Sequence, residues 1–440
     1  MSTASPVELL QSLIRFNTTN PPGNEAGCIS YINNLLAEEG FETTLLARVP
    51  ERPNLVTRLR GQGNTAPLLL YGHVDVVSTE GQVWKYPPFE GKVADGYVWG
   101  RGALDMKGGL AMMVSALLRA KDEGMTPLGD VILALLSGEE SGGDYGAKYL
   151  VQDHPHLFEG IRYAIGEFGG FPFYLGKHKF YQIQVAEKQG CKIQAIIRGP
   201  AGYGSLLPPQ GNAIAKLSRF LLKLERQQLP VHITPLPRNM IETFISALPL
   251  PNNIVLRQLL NPRFTDIVLR MLGDKGRTMH PLLHNTVNAF VIQGGDRKAI
   301  QIPSEVVVLL AVYILPSYSP TDVIAELRQV VGGDVELETV VYEPSPAEPD
   351  MGLFDTLAGI LREADPDGIP MPMLLPAGTD GPTFSQLGIQ TYGFTPMNLP
   401  SGFNFSETTH AADERIPVEA LDFGTNAIYK VLQRFGQVVP

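Results

Sequence analysis

Leu68-Leu69-Leu70-Tyr71-Gly72-His73-Val74-Asp75 is a short apolar run that ends in a histidine and an acid. A run of this length without polar alternation marks a strand covered on both faces, as in an α/β sheet. The same pattern recurs twice. Residues 131–136 (VILALL) lead into Ser137-Gly138-Glu139-Glu140, and residues 163–165 lead into Gly166-Glu167. Between the first two runs, Gly100-Arg101-Gly102-Ala103-Leu104-Asp105-Met106-Lys107 is a glycine-rich loop opening a helix predicted over 108–120. Ligands of open α/β sheets bind beyond the carboxyl ends of the strands. His73, Asp75, Asp105, Glu139, Glu140 and Glu167 are therefore expected to meet in one crevice.

Around this centre the chain alternates helix and strand signals. Helices are predicted over 6–16 and 27–39, with the loop Asn20-Pro21-Pro22-Gly23 between them. Near Gln189-Gly190 the character changes. A strand over 192–198 enters the loop Gly199-Pro200-Ala201-Gly202-Tyr203-Gly204-Ser205, followed by a helix over 212–226 and a helical, proline-punctuated stretch to His284. Strands are predicted over 287–292, 306–315 and 335–342, with a helix over 320–331. Residues 344–349 (PSPAEP) have the composition of a linker. Beyond them lie a helix over 352–364, a strand over 391–394 and a closing helix over 418–435. No repeat or low-complexity tract is present.

Composition narrows the function. The chain has 440 residues, 44% hydrophobic and 18% charged, as expected of two or three globular domains. Its formal net charge of −10 argues against a nucleic-acid partner held by phosphate contacts. Two cysteines, Cys28 and Cys191, exclude a disulfide framework and a cysteine-rich zinc site. The start carries Glu8 within its apolar stretch and lacks a basic lead, unlike a signal peptide, and no apolar run reaches membrane-spanning length. The expectation is a soluble cytoplasmic protein with no membrane partner.

Taken singly, each polar residue has an ordinary explanation. A Glu-Glu pair after a strand is usually a solvated strand end, and His410 alone would be a loop histidine. The Gly-x-Gly loop would suit a phosphate, but it lacks the sequel of dinucleotide binding. Together they require more, because acids massed in one crevice repel each other unless a cation neutralises them.

In this context the chain resembles the two-zinc metallopeptidases that include aminoacylase, carboxypeptidase G and succinyl-diaminopimelate desuccinylase. The matching pieces are Gly72-His73-Val74-Asp75, Gly100 to Gly109, Glu139-Glu140, Gly166-Glu167, Gly378-Thr379-Asp380-Gly381 and His410-Ala411-Ala412-Asp413-Glu414-Arg415-Ile416. The resemblance implies a zinc-exopeptidase-like α/β catalytic domain, 1–190 plus 348–440, interrupted by a smaller α/β lid of the dimerisation type, 191–347. It implies two Zn²⁺, with Co²⁺ or Mn²⁺ tolerated by the nitrogen and oxygen donors. Asp105 would bridge them, Glu140 and His410 completing one site, His73 and Glu167 the other. Asp75 would orient His73 and Glu139 would be the general base, pointing away from Glu140 as neighbouring strand-end residues do. A cis peptide after Asp105 is also implied. Gly378, Thr379 and Asn285 match substrate-contacting positions.

The lid departs from the family pattern. Tyr203 replaces a histidine that helps stabilise the oxyanion, Tyr313 stands in a stretch without the usual Asp-x-Arg, and Pro382 replaces an arginine. The expected activity is hydrolysis of an amide in a small N-acyl or peptide-like substrate by a homodimer formed through the lid. One alternative is a non-standard amide reaction at the same metals, such as metabolite tailoring, cyclisation or amide formation. Another is a silent binding protein that keeps its metals.

Overall fold

The three apolar runs form the centre of a mixed sheet. Leu68–His73 pairs in parallel with Val131–Leu136 on one side and Tyr163–Gly166 on the other, so the three strands end at the same edge. His73 lies opposite Leu136, which places the start of the 137–140 segment beside it. Every residue of the first two strands is buried, which explains their lack of alternation. Antiparallel strands Pro53–Leu59 and Thr43–Ala47 extend one flank, and Gln390–Gly393 lies parallel to Tyr163–Gly166 on the other. The structure is a computed structural model that describes residues 5–437 apart from 205, 207 and 297.

Helix Lys107–Asp122 is buried along nearly its whole length between Pro6–Ile14 and Val418–Arg434. Its start passes close to the strand at Gly72: a Cβ there would lie 2.3 Å from the Met106 side chain and 2.9 Å from that of Leu110, so both would have to shift. A small sheet joins Arg415–Pro417 to Tyr97–Trp99 and Lys92–Ala94, which brings the segment before Arg415 to the loop beginning at Gly100. The two longest strands not legible in sequence are His178–Glu187 and Gly368–Leu375. The second contains Pro370 and Pro372, which cannot donate to a ladder, and it lies at the sheet's edge where that loss is tolerated.

The chain falls into two compact units. One comprises residues 1–185, 349–373 and 379–440, the other residues 186–348 and 374–378. The second is built on an antiparallel sheet in the order Thr286–Gln293, Glu305–Ile314, Gln189–Arg198, Glu336–Glu343. Glu305–Ile314 alternates strictly, burying Val306, Val308, Leu310, Val312 and Ile314. The core on that face includes Phe220 of helix Ala213–Arg226 and Val323, Leu327 and Val331 of helix Pro320–Val331. The proline-punctuated stretch forms helices Pro235–Ala247, Asn252–Arg257, Thr265–Met271 and Asp274–Leu283. The mixed α/β class with an added smaller α/β unit is as the sequence indicated. Among the described residues no helix is long and apolar enough to cross a membrane.

Lys188 yields a test within the second unit. It is fully buried, and its Nζ donates to His284 O at 2.9 Å and Thr286 Oγ1 at 3.1 Å. Burial pushes its pKa down to about 7. The unfolded chain keeps that proton to much higher pH, so the penalty is fully present below pH 7 and fades as pH rises towards the unfolded value. Wild type is therefore expected to gain on Lys188→Met by up to about 1.4 kcal/mol per pH unit between about pH 7.5 and 9, measured by urea unfolding. A difference independent of pH would contradict a neutral Lys188.

Candidate metal centre

The site begins where the central strand ends. Gly138 (φ 83°) turns the chain out of Val131–Leu136, and Glu139–Ser141 then forms one 3₁₀ turn. Asp75 anchors this turn. Its Oδ1 accepts from the backbone N–H of Gly138 (2.8 Å) and Glu139 (3.2 Å). Its Oδ2 accepts from Glu140 N–H (3.1 Å) and Asn20 Nδ2 (2.8 Å). Glu139 and Glu140 therefore diverge by the roughly 120° step of a 3₁₀ turn, not by strand alternation as the sequence suggested. Burial would raise the Asp75 carboxyl, but its contacts, His73 foremost, hold it below the ordinary value.

His73 is oriented mainly by a backbone group. Its Nδ1 lies 3.0 Å from the carbonyl of Asp75 and 3.5 Å from the Asp75 carboxylate. With Nδ1–H donating to that carbonyl, Nε2 is the ring nitrogen left to face a cation. Nε2 faces Asp105 Oδ1 and Glu167 Oε2, each at 3.1 Å. The other Asp105 oxygen, Oδ2, lies 3.0 Å from His410 Nε2, which is 3.3 Å from Glu140 Oε1. Two ligand groups result, His73–Asp105–Glu167 and Asp105–Glu140–His410, and the donor atoms of each lie within 4.8 Å of one another. Asp105 contributes one oxygen to each. Its peptide bond to Met106 is cis.

The electrostatics suit cations. Burial would lower the His73 pKa, but the Glu167 carboxylate and contacts with Asp105 and Asp75 outweigh it and hold it well above the usual value. Asp105, then Glu140, raise His410 to about 10. Burial raises Glu167 to about 8 despite His73. Glu140 Oε1 is buried, and the His410 ring at 3.3 Å is its one close polar neighbour recorded among the described residues. The donor set is nitrogen and oxygen without thiolate, which fits zinc, cobalt or manganese.

Glu139 belongs to neither group. Burial, then the Glu167 charge, push its pKa well above the ordinary range. Asp380, buried in the same unit, raises both Glu139 and Glu167 and was quoted in sequence without a role. Thr379 Oγ1 accepts from Gly381 N–H at 2.9 Å at the start of helix Gly381–Ser385, which buries Pro382.

The remaining sequence candidates lie in the second unit. Gly378 falls in its 374–378 segment. Tyr203 is 77% exposed, on a two-residue strand paired with Gln301–Ile302. Ser205 of the same loop lies outside the described residues. Tyr313 is half-buried, opposite Gly190 and Thr286. Asn285 is buried; its Nδ2 donates to Glu326 Oε2 (3.1 Å) and its Oδ1 accepts from Leu315 N–H (2.9 Å), so its amide serves the fold of this unit.

Comparison with known proteins gives the family and the fold. The model of peptidase family M20/M25/M40 matches residues 69–434. A carboxypeptidase S-like protein of Dictyostelium discoideum is 27% identical over 373 residues, 80% of this chain and 68% of that protein. An N-fatty-acyl-amino acid synthase/hydrolase of Bos taurus is 25% identical over 379 residues, 83% of this chain and 74% of that protein. The crystal structure of an M20 family metallo-carboxypeptidase from Sulfolobus solfataricus superposes with a TM-score of 0.70 at 16% identity, covering 98% of both chains.

Proposed function

The chain belongs to peptidase family M20/M25/M40, and from that premise we propose that it cleaves an amide bond in a small N-acyl or peptide-like substrate at a two-metal centre. The observation that carries this reading is Asp105, with one carboxylate oxygen in each ligand group. His73 and Glu167 would complete one ion's ligands, Glu140 and His410 the other's, and zinc suits the set best. Bound there, such ions supply Lewis acidity and lower the pKa of water. Residues 1–190 and 348–440 would form the catalytic half, and 191–347 the lid through which a homodimer would assemble.

Glu139 is the residue proposed to move the proton. Burial and neighbouring negative charge raise its affinity for protons without metal, and bound cations would lower it again, so that as a carboxylate it could take a proton from the attacking water and give it to the leaving amine. Asp75 fixes the turn that presents both Glu139 and Glu140. Purified protein reconstituted with zinc should hydrolyse members of an acyl-amino acid and dipeptide panel. Two bound ions without turnover of any amide, in either direction, would favour a silent binding protein.

Amide formation remains the second reading, favoured by the altered recognition positions and by a relative named for both directions. Tyr203 offers a phenol where the family pattern has an imidazole, and no arginine stands at positions 313 or 382 to clamp a carboxylate. Substrates that are uncharged or aromatic at that end are expected to be preferred over free acids. Returning an imidazole to this position by Tyr203→His, shorter and less bulky than the phenol, should raise activity on ordinary amides at least about tenfold. Matched acids, amides and esters test this, and efficient wild-type turnover of the free acids would contradict it.

A further inference from the structure

His73 and His410 are held in different ways. The His73 side chain is 2% exposed and its ring is fixed through Nδ1. The His410 side chain is 47% exposed, so packing alone does not place it. Its loop also contains two non-glycine residues in the left-handed region, His410 (φ 63°) and Asp413 (φ 61°). Such backbone persists only where surrounding contacts over-determine it.

Those contacts converge on Arg101. It is fully buried, and its Nη1 donates to Glu414 Oε2 (2.5 Å) and Ala411 O (3.2 Å). Its Nη2 donates to His410 O (3.1 Å) and Gln82 Oε1 (2.9 Å). Gln82 in turn donates from Nε2 to His410 O (3.0 Å) and accepts from Trp84 Nε1 (3.2 Å). Glu414 Oε1 accepts from the backbone N–H of Leu104 (2.8 Å) and Asp105 (3.2 Å). One guanidinium thus ties the backbone of His410 to the backbone of Asp105, more than three hundred residues away in sequence.

We infer that Arg101 and Gln82 are positioning residues that set the affinity of the ion on the His410 side of Asp105, Gln82 without effect on the ion on the His73 side. The inference rests on the metal-site reading above. Two hydrogen bonds to one carbonyl, the one from buried Arg101 and the one from half-buried Gln82, fix where the His410 loop sits, and the metal rewards only a ligand already in place. Arg101→Lys keeps a positive charge opposite Glu414 but cannot serve four acceptors from a planar fork. Gln82→Ala removes one of the two bonds to His410 O and leaves the buried ion pair intact.

The test is calorimetric titration of metal-free full-length protein with Zn²⁺, repeated with Co²⁺ to read each ion's visible absorption. Wild type should bind two ions per chain. Gln82→Ala should bind one ion with unchanged affinity and the other at least about tenfold more weakly, with the cobalt absorption changed for that ion alone, and Arg101→Lys should weaken that same ion at least as much. If Arg101→Lys fails to fold, Gln82→Ala decides the question. Two ions bound with wild-type affinities by Gln82→Ala would overturn the inference, as would equal weakening of both. Fewer than two ions in wild type would instead overturn the metal-site reading itself.

Discussion

Glu139→Gln is expected to retain the metal content of wild type and lose at least about a hundredfold in turnover, the lower end for removal of a general base. The substitution is nearly isosteric and leaves the backbone N–H of residue 139 donating to Asp75, so the turn carrying Glu140 should persist. It removes a carboxylate that burial and Glu167 hold protonatable. Metal analysis and kcat measured together separate this from indirect damage. Loss of metal along with activity would assign Glu139 to the ligands, and unchanged turnover would place the base elsewhere.

Asp105→Ala is expected to be more damaging, with both ions lost and activity below detection. Each ligand group would keep only one histidine and one glutamate. The change also strands His73 and His410, whose Nε2 atoms each contact an Asp105 oxygen. Breaking a buried charged network from one side typically costs about 3–5 kcal/mol, so the metal-free variant should also unfold at lower urea than metal-free wild type. The metal-free comparison matters, because bound metal stabilises the native state by mass action. A variant that keeps two ions per chain would remove Asp105 from the bridging position.

Much of this site was legible because its residues follow a local rule. His73, Glu139, Glu140 and Glu167 sit just past buried parallel strands, and such strands announce themselves as unbroken apolar runs. Asp105 was legible from the glycine-rich loop opening a helix, and His410 only through its family motif. The supporting contacts were not legible, since they join residues far apart in sequence. Asp75 was expected to orient His73; its carbonyl lies nearest Nδ1 at 3.0 Å and its carboxylate at 3.5 Å, while the same carboxylate also fixes the 138–140 turn. Arg101 and Glu414 both lie within quoted motifs, yet nothing local says that they pair. Asn285 matched a substrate-contacting position, but only the fold reveals that Glu326 and Leu315 engage its amide. Gly368–Leu375 escaped because two prolines argue against a strand until its edge position is known.

The central claim is that Asp105 joins two metal ions, and anomalous diffraction at the zinc edge from zinc-loaded crystals tests it most directly. The account predicts two peaks flanking the Asp105 carboxylate, one contacted by His73 and Glu167 and the other by Glu140 and His410. A single peak, or two peaks of which one does not touch Asp105, would contradict it.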